Sequence, residues 1–168
     1  MALHLTPVQP APPSQPLPDP QFRFFADLRV EVGLPQQVGQ TAHGLRRLIP
    51  ITGGTATGDG WSARVLPGGA DFQIVVSDTC ADLDARYLLQ LDNGEHVFVQ
   101  NRALRRGSVE DIAKLVRGEP VDPAAIYFRC VPTFEVSHPS LAWLTESVFV
   151  GTGARFPDRV EISVYRLA

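Results

Sequence analysis

The residues best suited to chemistry in this chain are a carboxylate behind two glycines and an arginine set among aromatics. In Leu66-Pro67-Gly68-Gly69-Ala70-Asp71-Phe72-Gln73 the glycines precede Asp71, and period-two alternation then puts Asp71 and Gln73 on one side of a strand. Residues 125–135 mix Tyr127, Arg129 and Glu135 with Phe128, Val131 and Phe134. A buried guanidinium needs a carboxylate or an anionic ligand, so Arg129 is expected to meet Glu135 or Asp71. Two readings of that arginine stand. It pins two strands through a structural ion pair, or it clamps a substrate carboxylate or enolate while a nearby acid moves a proton. On the second reading Asp71 or Glu135 is the acid/base and Arg129 the clamp. Gln73, Tyr87 and Tyr127 then give hydrogen-bonding support, and Phe134 and Trp143 are walls, although a lone tryptophan also serves as plain core.

The elements that must position these residues are mostly strands. Alternation marks residues 24–32, 45–51, 61–66, 71–77, 86–91, 96–100, 126–131, 133–137, 143–150 and 159–167. Pro67-Gly68-Gly69 reads as a chain-reversing turn, residues 53–60 as a glycine-rich turn, and Asn93-Gly94 as a hairpin turn with positive φ. One helix is expected, capped by Ser108, striped by Val109, Ile112, Leu115 and Val116, and stopped by Gly118 and Pro120. Its narrow stripe suits a helix on a surface or across one end of a barrel. Short connections favour an all-β fold, a closed antiparallel barrel of about eight to ten strands, with a two-sheet sandwich as the alternative. Polar residues recur along single faces: Asp71 with Gln73, Arg86 with Gln90, His96 with Gln100, Tyr127 with Arg129, and Glu161 with Ser163 and Tyr165. Each row faces either solvent or a polar lumen, where carboxylate pKa values rise and arginines need partners.

Composition narrows the classes. The chain has 168 residues, 44% hydrophobic and 20% charged, the profile of one globular domain. Residues 1–21 form a proline-rich arm, with seven of the fifteen prolines before residue 21, and residues 22–168 form the barrel domain. A net charge of -3 and no extended basic cluster argue against nucleic acid as a partner. Arg46-Arg47 and Arg102-Ala103-Leu104-Arg105-Arg106 read as solvated turns or carboxylate partners. Cys80 and Cys130 make neither a zinc signature nor a disulfide framework, and the four histidines lack ligand spacing. Glycine clusters 53–58 and 151–153 lack the context of a P-loop or dinucleotide fingerprint, and no nucleophile elbow occurs. No run is long and apolar enough to span a membrane, and the N-terminus lacks a secretory signal pattern. The expectation is a cytoplasmic protein without cofactor or metal, taking a small-molecule ligand and self-associating, a homodimer being favoured.

Taken in order, several motifs resemble the domain-of-unknown-function family 3237 (uncharacterised protein family 0311). They are Gly44 with Arg46-Arg47, Ile51-Thr52-Gly53-Gly54, the 66–73 segment, Leu83-Asp84-Ala85-Arg86-Tyr87, Tyr127-Phe128-Arg129, Phe134-Glu135 and Trp143-Leu144-Thr145. The resemblance covers residues 22–167. It implies a compact antiparallel barrel, often oligomeric, with a central pocket, and it carries no settled reaction. Asp71-Phe72-Gln73 stands for the family's usual Asp-Trp-Gln, Thr145 for an asparagine, and Asp78-Thr79-Cys80 replaces a usual Asp-Gly. The functional expectation is a cofactor-independent isomerase, lyase or hydrolase. It would act by acid/base chemistry (isomerisation, cyclisation, elimination or lactone opening) on a small apolar or aromatic carbonyl or acid metabolite. A non-catalytic binding barrel and a purely structural module are the alternatives.

Overall fold

Alternation of apolar and polar residues is realised as one antiparallel sheet of ten strands in the computed structural model, which describes residues 15 and 17–168. Most of the expected N-terminal arm, residues 1–14 and 16, lies outside the described residues. The strands are β1 (Phe22–Val32), β2 (Gln36–Thr41), β3 (Gly44–Gly58), β4 (Trp61–Val65), β5 (Ala70–Ser77), β6 (Cys80–Leu91), β7 (His96–Arg106), β8 (Tyr127–Val136), β9 (Phe149–Arg155) and β10 (Arg159–Leu167). They follow the order β1-β10-β9-β8-β7-β6-β4-β3, and pairing of β1 with β3 closes the ring. β5 takes the place of β4 between β3 and β6 at the other end, so a section through the barrel crosses eight strands. β2 hangs outside, paired with the start of β3. The expected closed barrel is therefore the fold.

The inward set is the apolar one on each strand. Ala26, Leu28 and Val30 on β1, Val97 and Val99 on β7, and Phe128, Cys130 and Phe134 on β8 are buried, while their sequence neighbours face out. Five aromatic rings fill one end: Phe25, Trp61, Phe134, Trp143 and Phe149, with Phe149 4.9 Å from both Phe25 and Phe134 between ring centres. A 3-10 helix, Pro139–Leu144, lies across that end and buries Leu144. At the opposite end lies α1 (Val109–Arg117), whose N-cap Ser108 accepts the Asp111 N–H at 3.0 Å. Leu115 and Ile112 pack on Ala81, Leu83, Ile126 and Phe128, whereas Val109 and Val116 of the expected stripe stay exposed. The helix thus plugs the barrel through a single buried side chain.

Four sequence expectations change. Residues 53–58 are not a turn but the far half of β3, which ends only at the Asp59-Gly60 turn. Pro67-Gly68-Gly69 does not reverse the chain: β4 and β5 run the same way, both antiparallel to β3, so this stretch is a bulge inside one broken strand. Residues 102–106 continue β7, and Arg105 is buried. Trp143 belongs to the 3-10 helix, and the strand expected at 143–150 begins only at Phe149. In the first three cases pairing with a neighbouring strand overrode a local turn signal, and in the fourth a 3-10 helix opened by Pro139 replaces the first part of the strand.

Barrel closure rests on Gly54. Its φ is +131°, and a Cβ there would overlap the Arg29 carbonyl oxygen of β1. Gly60 also has positive φ (+75°) but open space around it. Gly54→Ala is expected to lower unfolding free energy by about 3 kcal/mol or more, and Gly60→Ala by about 1 kcal/mol. Urea denaturation of both variants checks this; equal losses would show that conformation alone, not the close approach, matters at Gly54.

Candidate active site

At the helix end, inward positions that elsewhere carry aliphatic side chains are occupied by polar ones. β3 supplies Arg47, β5 Asp71 and Gln73, β6 Tyr87, β7 Asn101 and Arg105, and β9 Arg155. Register brings them together: Arg47 stands opposite Gln73, Asp71 opposite Ala85, and Ala85 opposite Asn101. Gly69 makes room for this. A Cβ on it would lie 2.5 Å from the Arg86 carbonyl oxygen and 2.6 Å from Tyr87 Cβ, so only glycine lets the chain lie against β6 just before Asp71.

A relay of side chains orients the carboxylate. Arg47 Nε donates to Gln73 Oε1 at 2.8 Å, Gln73 Nε2 donates to Asp71 Oδ2 at 2.5 Å, and the Asp84 backbone N–H donates to Asp71 Oδ1 at 3.1 Å. Even so, burial pushes the Asp71 pKa above its ordinary 3.8, against the opposing pull of Gln73, Arg105, the Asp84 N–H and Arg47. Asp71 lines a small cavity of about 40 Å³, walled by Val30, Ile51, Leu83, Phe128 and Ile162 and also reached by Tyr87 and Asn101. Its volume suits a water or a small functional group, not a whole substrate. Tyr87 Oη and Asn101 Oδ1 are buried with no hydrogen-bond partner among the described residues. Burial, with a smaller contribution from Cys130, holds the Tyr87 phenol protonated far above its usual range. The cavity is therefore lined by a desolvated carboxyl and by two residues, Tyr87 and Asn101, that each carry an unsatisfied buried polar atom.

Above this cavity, Arg47 and Arg105 are buried, and Arg155 is partly so, with its Nη1 donating to the Leu115 carbonyl of α1 at 3.2 Å. Burial lowers the pKa of all three, and that of Arg105 falls to about 10 with Arg155 and Arg47 adding to the effect.

The sequence candidates divide between the two sides of the wall. Asp71, Gln73 and Tyr87 are gathered in the lumen. Phe134 and Trp143 lie together at the aromatic end, around an apolar cavity of about 170 Å³. Glu135, Arg129 and Tyr127 point outward because even-numbered residues of β8, the more apolar set, take the inside. Arg129 does not pair with Glu135 or Asp71 as expected. It donates to Thr152 Oγ1 and the Phe128 carbonyl, both at 3.0 Å, with its guanidinium 5.1 Å from the Tyr127 ring centre. It also borders an open outer groove of about 590 Å³ with Asp27, Arg29 and Glu161, where Ser163 Oγ donates to Asp27 at 2.6 Å. That groove is larger than the lumen cavity but leaves its charged groups open to water. The rows Arg86/Gln90 and Glu161/Ser163/Tyr165 likewise lie on the outer wall.

Sequence reading missed Arg47, Asn101, Arg105 and Arg155. For two of them a signal existed, since Val97, Val99, Asn101, Ala103 and Arg105 continue one alternation on β7. Among the described residues no three His, Cys, Asp or Glu side chains gather as a metal-binding group, and no helix is long and apolar enough to cross a membrane.

The family described as "Protein of unknown function (DUF3237)" matches residues 20–167. A UPF0311 protein of Rhodopseudomonas palustris is 43% identical over 150 residues, covering 89% of this chain and 98% of its own. Its crystal structure, of a conserved protein of unknown function, superposes with a TM-score of 0.86, covering 90% of this chain and 100% of that one. A beta-barrel like protein from Acinetobacter baumannii is 38% identical with a TM-score of 0.79, covering 92% and 99%. A protein from Penicillium herquei described as an enzyme shares the fold at a TM-score of 0.64 with 19% identity, covering 92% and 98%.

The raised Asp71 pKa has a stability consequence. The folded state holds this proton more tightly than the unfolded chain, so the contribution is fully present below 3.8 and is lost as pH rises through the folded value. The unfolding free energy of the wild type minus that of Asp71→Asn is therefore expected to fall with rising pH above 3.8 and then level off. Denaturation of both proteins over a pH series measures it; a difference that grows with pH would contradict the desolvated carboxyl.

Proposed function

The chain belongs to the DUF3237 family of proteins of unknown function, and from that premise we propose that its barrel is an enzyme using Asp71 to move a proton on a small carbonyl- or acid-bearing molecule. The observation that carries this reading is the shared cavity: a desolvated, hydrogen-bonded Asp71 lines the same space as Tyr87 and Asn101, whose hydroxyl and carbonyl oxygen are buried without a partner among the described residues. A carboxyl whose pKa lies above its usual range both accepts and returns a proton nearer neutrality. In the proposed step Asp71 takes a proton from a carbon or hydroxyl of the substrate. The released electron pair moves onto the conjugated carbonyl oxygen, to which Tyr87 donates a hydrogen bond. Asp71 then returns the proton at a second carbon, which completes an isomerisation without a cofactor. In an elimination the pair on the oxygen returns to carbon and expels a leaving group from the β-carbon, and Asp71 gives its proton to that group. In a cyclisation the hydroxyl oxygen that Asp71 has deprotonated bonds to the β-carbon of the conjugated carbonyl, and the resulting enolate takes the proton at carbon. Asn101 Oδ1 accepts a hydrogen bond from a substrate hydroxyl. Only the reacting group enters the lumen cavity, and the rest of the molecule stays toward the helix end. The same barrel serves as the scaffold of the Penicillium herquei protein described as an enzyme.

Proton movement is read without knowing the natural substrate. The protein is incubated in D2O with a panel of aromatic and cyclic ketones and keto acids, and deuterium at carbon is followed by NMR. The wild type is expected to accelerate exchange in at least one compound, and Asp71→Asn to slow it about 10²–10⁴-fold while remaining folded by circular dichroism. Equal rates in the two proteins, or no exchange across the panel, would count against the reading. Binding without exchange would point to the carrier alternative.

A further inference from the structure

We infer that Arg47, Arg105 and Arg155 form a receptor for the oxyanion of a ligand whose apolar part lies in the groove between α1 and the β9–β10 turn. The inference rests on the acid/base reading in sharing its lumen, and it names the class of molecule: an anion with an apolar body.

Arg105 carries most of the argument. It is 3% exposed, and its Nε is buried without a hydrogen-bond partner among the described residues. A desolvated guanidinium nitrogen with no partner is costly, and such groups persist where a ligand completes them. The two flanking arginines are not neutralised by their own partners either. Arg47 Nε is spent on the Gln73 amide and Arg155 Nη1 on the Leu115 carbonyl, both uncharged acceptors. The ion pairs among the described residues are made by other side chains. Asp71 is the carboxylate that acts on all three, so three cations share one anion, and protonation of Asp71 widens the surplus. The arginines also depress one another: Arg155 and Arg47 both lower the pKa of Arg105, and Arg47 lowers that of Arg155. An oxyanion placed among them would relieve that repulsion and take the planar, multidentate hydrogen bonds that guanidinium offers.

The apolar half of the ligand follows from the neighbouring surface. A mostly apolar groove of about 400 Å³ is lined by Leu115, Val121, Ile126, Phe156 and Pro157, with Arg155 as its basic side chain and Glu119, ion-paired with Arg117, as its acidic one. That volume falls in the range of small-ligand sites. Arg155 thus joins the buried cluster to a greasy exterior, an arrangement suited to an aryl or alkyl carboxylate or phosphate.

Thermal shift and calorimetric titration of the full chain test this, with sodium benzoate and inorganic phosphate as probes. Neutral benzamide and sodium chloride at matched ionic strength are the controls. Saturable stabilisation by benzoate or phosphate beyond both controls is expected, and the stronger of the two identifies a carboxylate or a phosphate head. Arg105→Met should weaken that binding about tenfold or more, and Arg155→Gln should weaken it less. Ligand-free Arg105→Met should be at least as stable as the wild type, because it removes an unpartnered buried charge. If Arg105→Met fails to fold, the wild-type titration and Arg155→Gln still decide. A wild type answering the anions no better than benzamide and chloride overturns the receptor, as does unchanged affinity in both variants. Asp71→Asn should keep or tighten anion binding while losing deuterium exchange. Anion binding without wild-type exchange sinks the acid/base reading alone, and exchange without an anion response sinks the receptor alone.

Discussion

Inside a closed eight-stranded barrel there is no bulk water to hydrate a charge, and this molecule's arrangement follows from that constraint. Asp71 is tolerated there because Gln73 and the Asp84 N–H donate to its two oxygens and Arg47 backs Gln73. The carboxylate organises one end of the barrel in turn. Gln73 is held in a single amide orientation, and Arg47, on an inward position of β3, is fixed by its bond to that amide. The buried polar atoms left without partners, on Tyr87, Asn101 and Arg105, all stand on inward positions of β6 and β7. A lumen assembled for stability alone would pair or replace such groups.

The two ends of the barrel divide the work. Five interlocking rings and the 3-10 helix make the far end an apolar plug around a cavity of about 170 Å³, with Phe149 almost wholly buried. The helix end is thinner, closed by α1 through Leu115 and by the bond from Arg155 to that residue's carbonyl. Packing at one end can sustain unsatisfied polar groups at the other, since a domain's stability is distributed unevenly and sites occupy its less stable regions.

Two backbone devices connect the ends. β3 is long enough to pair with β5 at one end and with β1 and β4 at the other, and Gly54 allows its close crossing of β1. Facing it, the strand from Trp61 to Ser77 is interrupted by the bulge at Pro67-Gly68-Gly69. Gly69 lets that bulge settle on Tyr87. The interruption lets Tyr87 of β6 and Asp71 of β5 line the same cavity.

Much of this was legible beforehand. Period-two alternation and short connections marked an antiparallel barrel, the Ser108 cap and Gly118 stop marked the helix, and Asp71 with Gln73 stood out as a polar pair on a strand face. Alternation, however, says only that two residues share a side, never which side is inside. That is why Arg129, Tyr127 and Glu135 looked as promising as Asp71 until β8 turned its aromatic and apolar set inward. The arginine cluster was hidden for a related reason. Arg105 in a run of three arginines and Arg47 in a pair read as solvated charge, because local sequence cannot show that a strand continues into a closed interior. By itself the sequence determined the strand periodicity, the helix and the family motifs, all set by interactions between near neighbours. Only the tertiary structure decided which face met the lumen, and hence which charges lost their water, because burial depends on strands far apart along the chain.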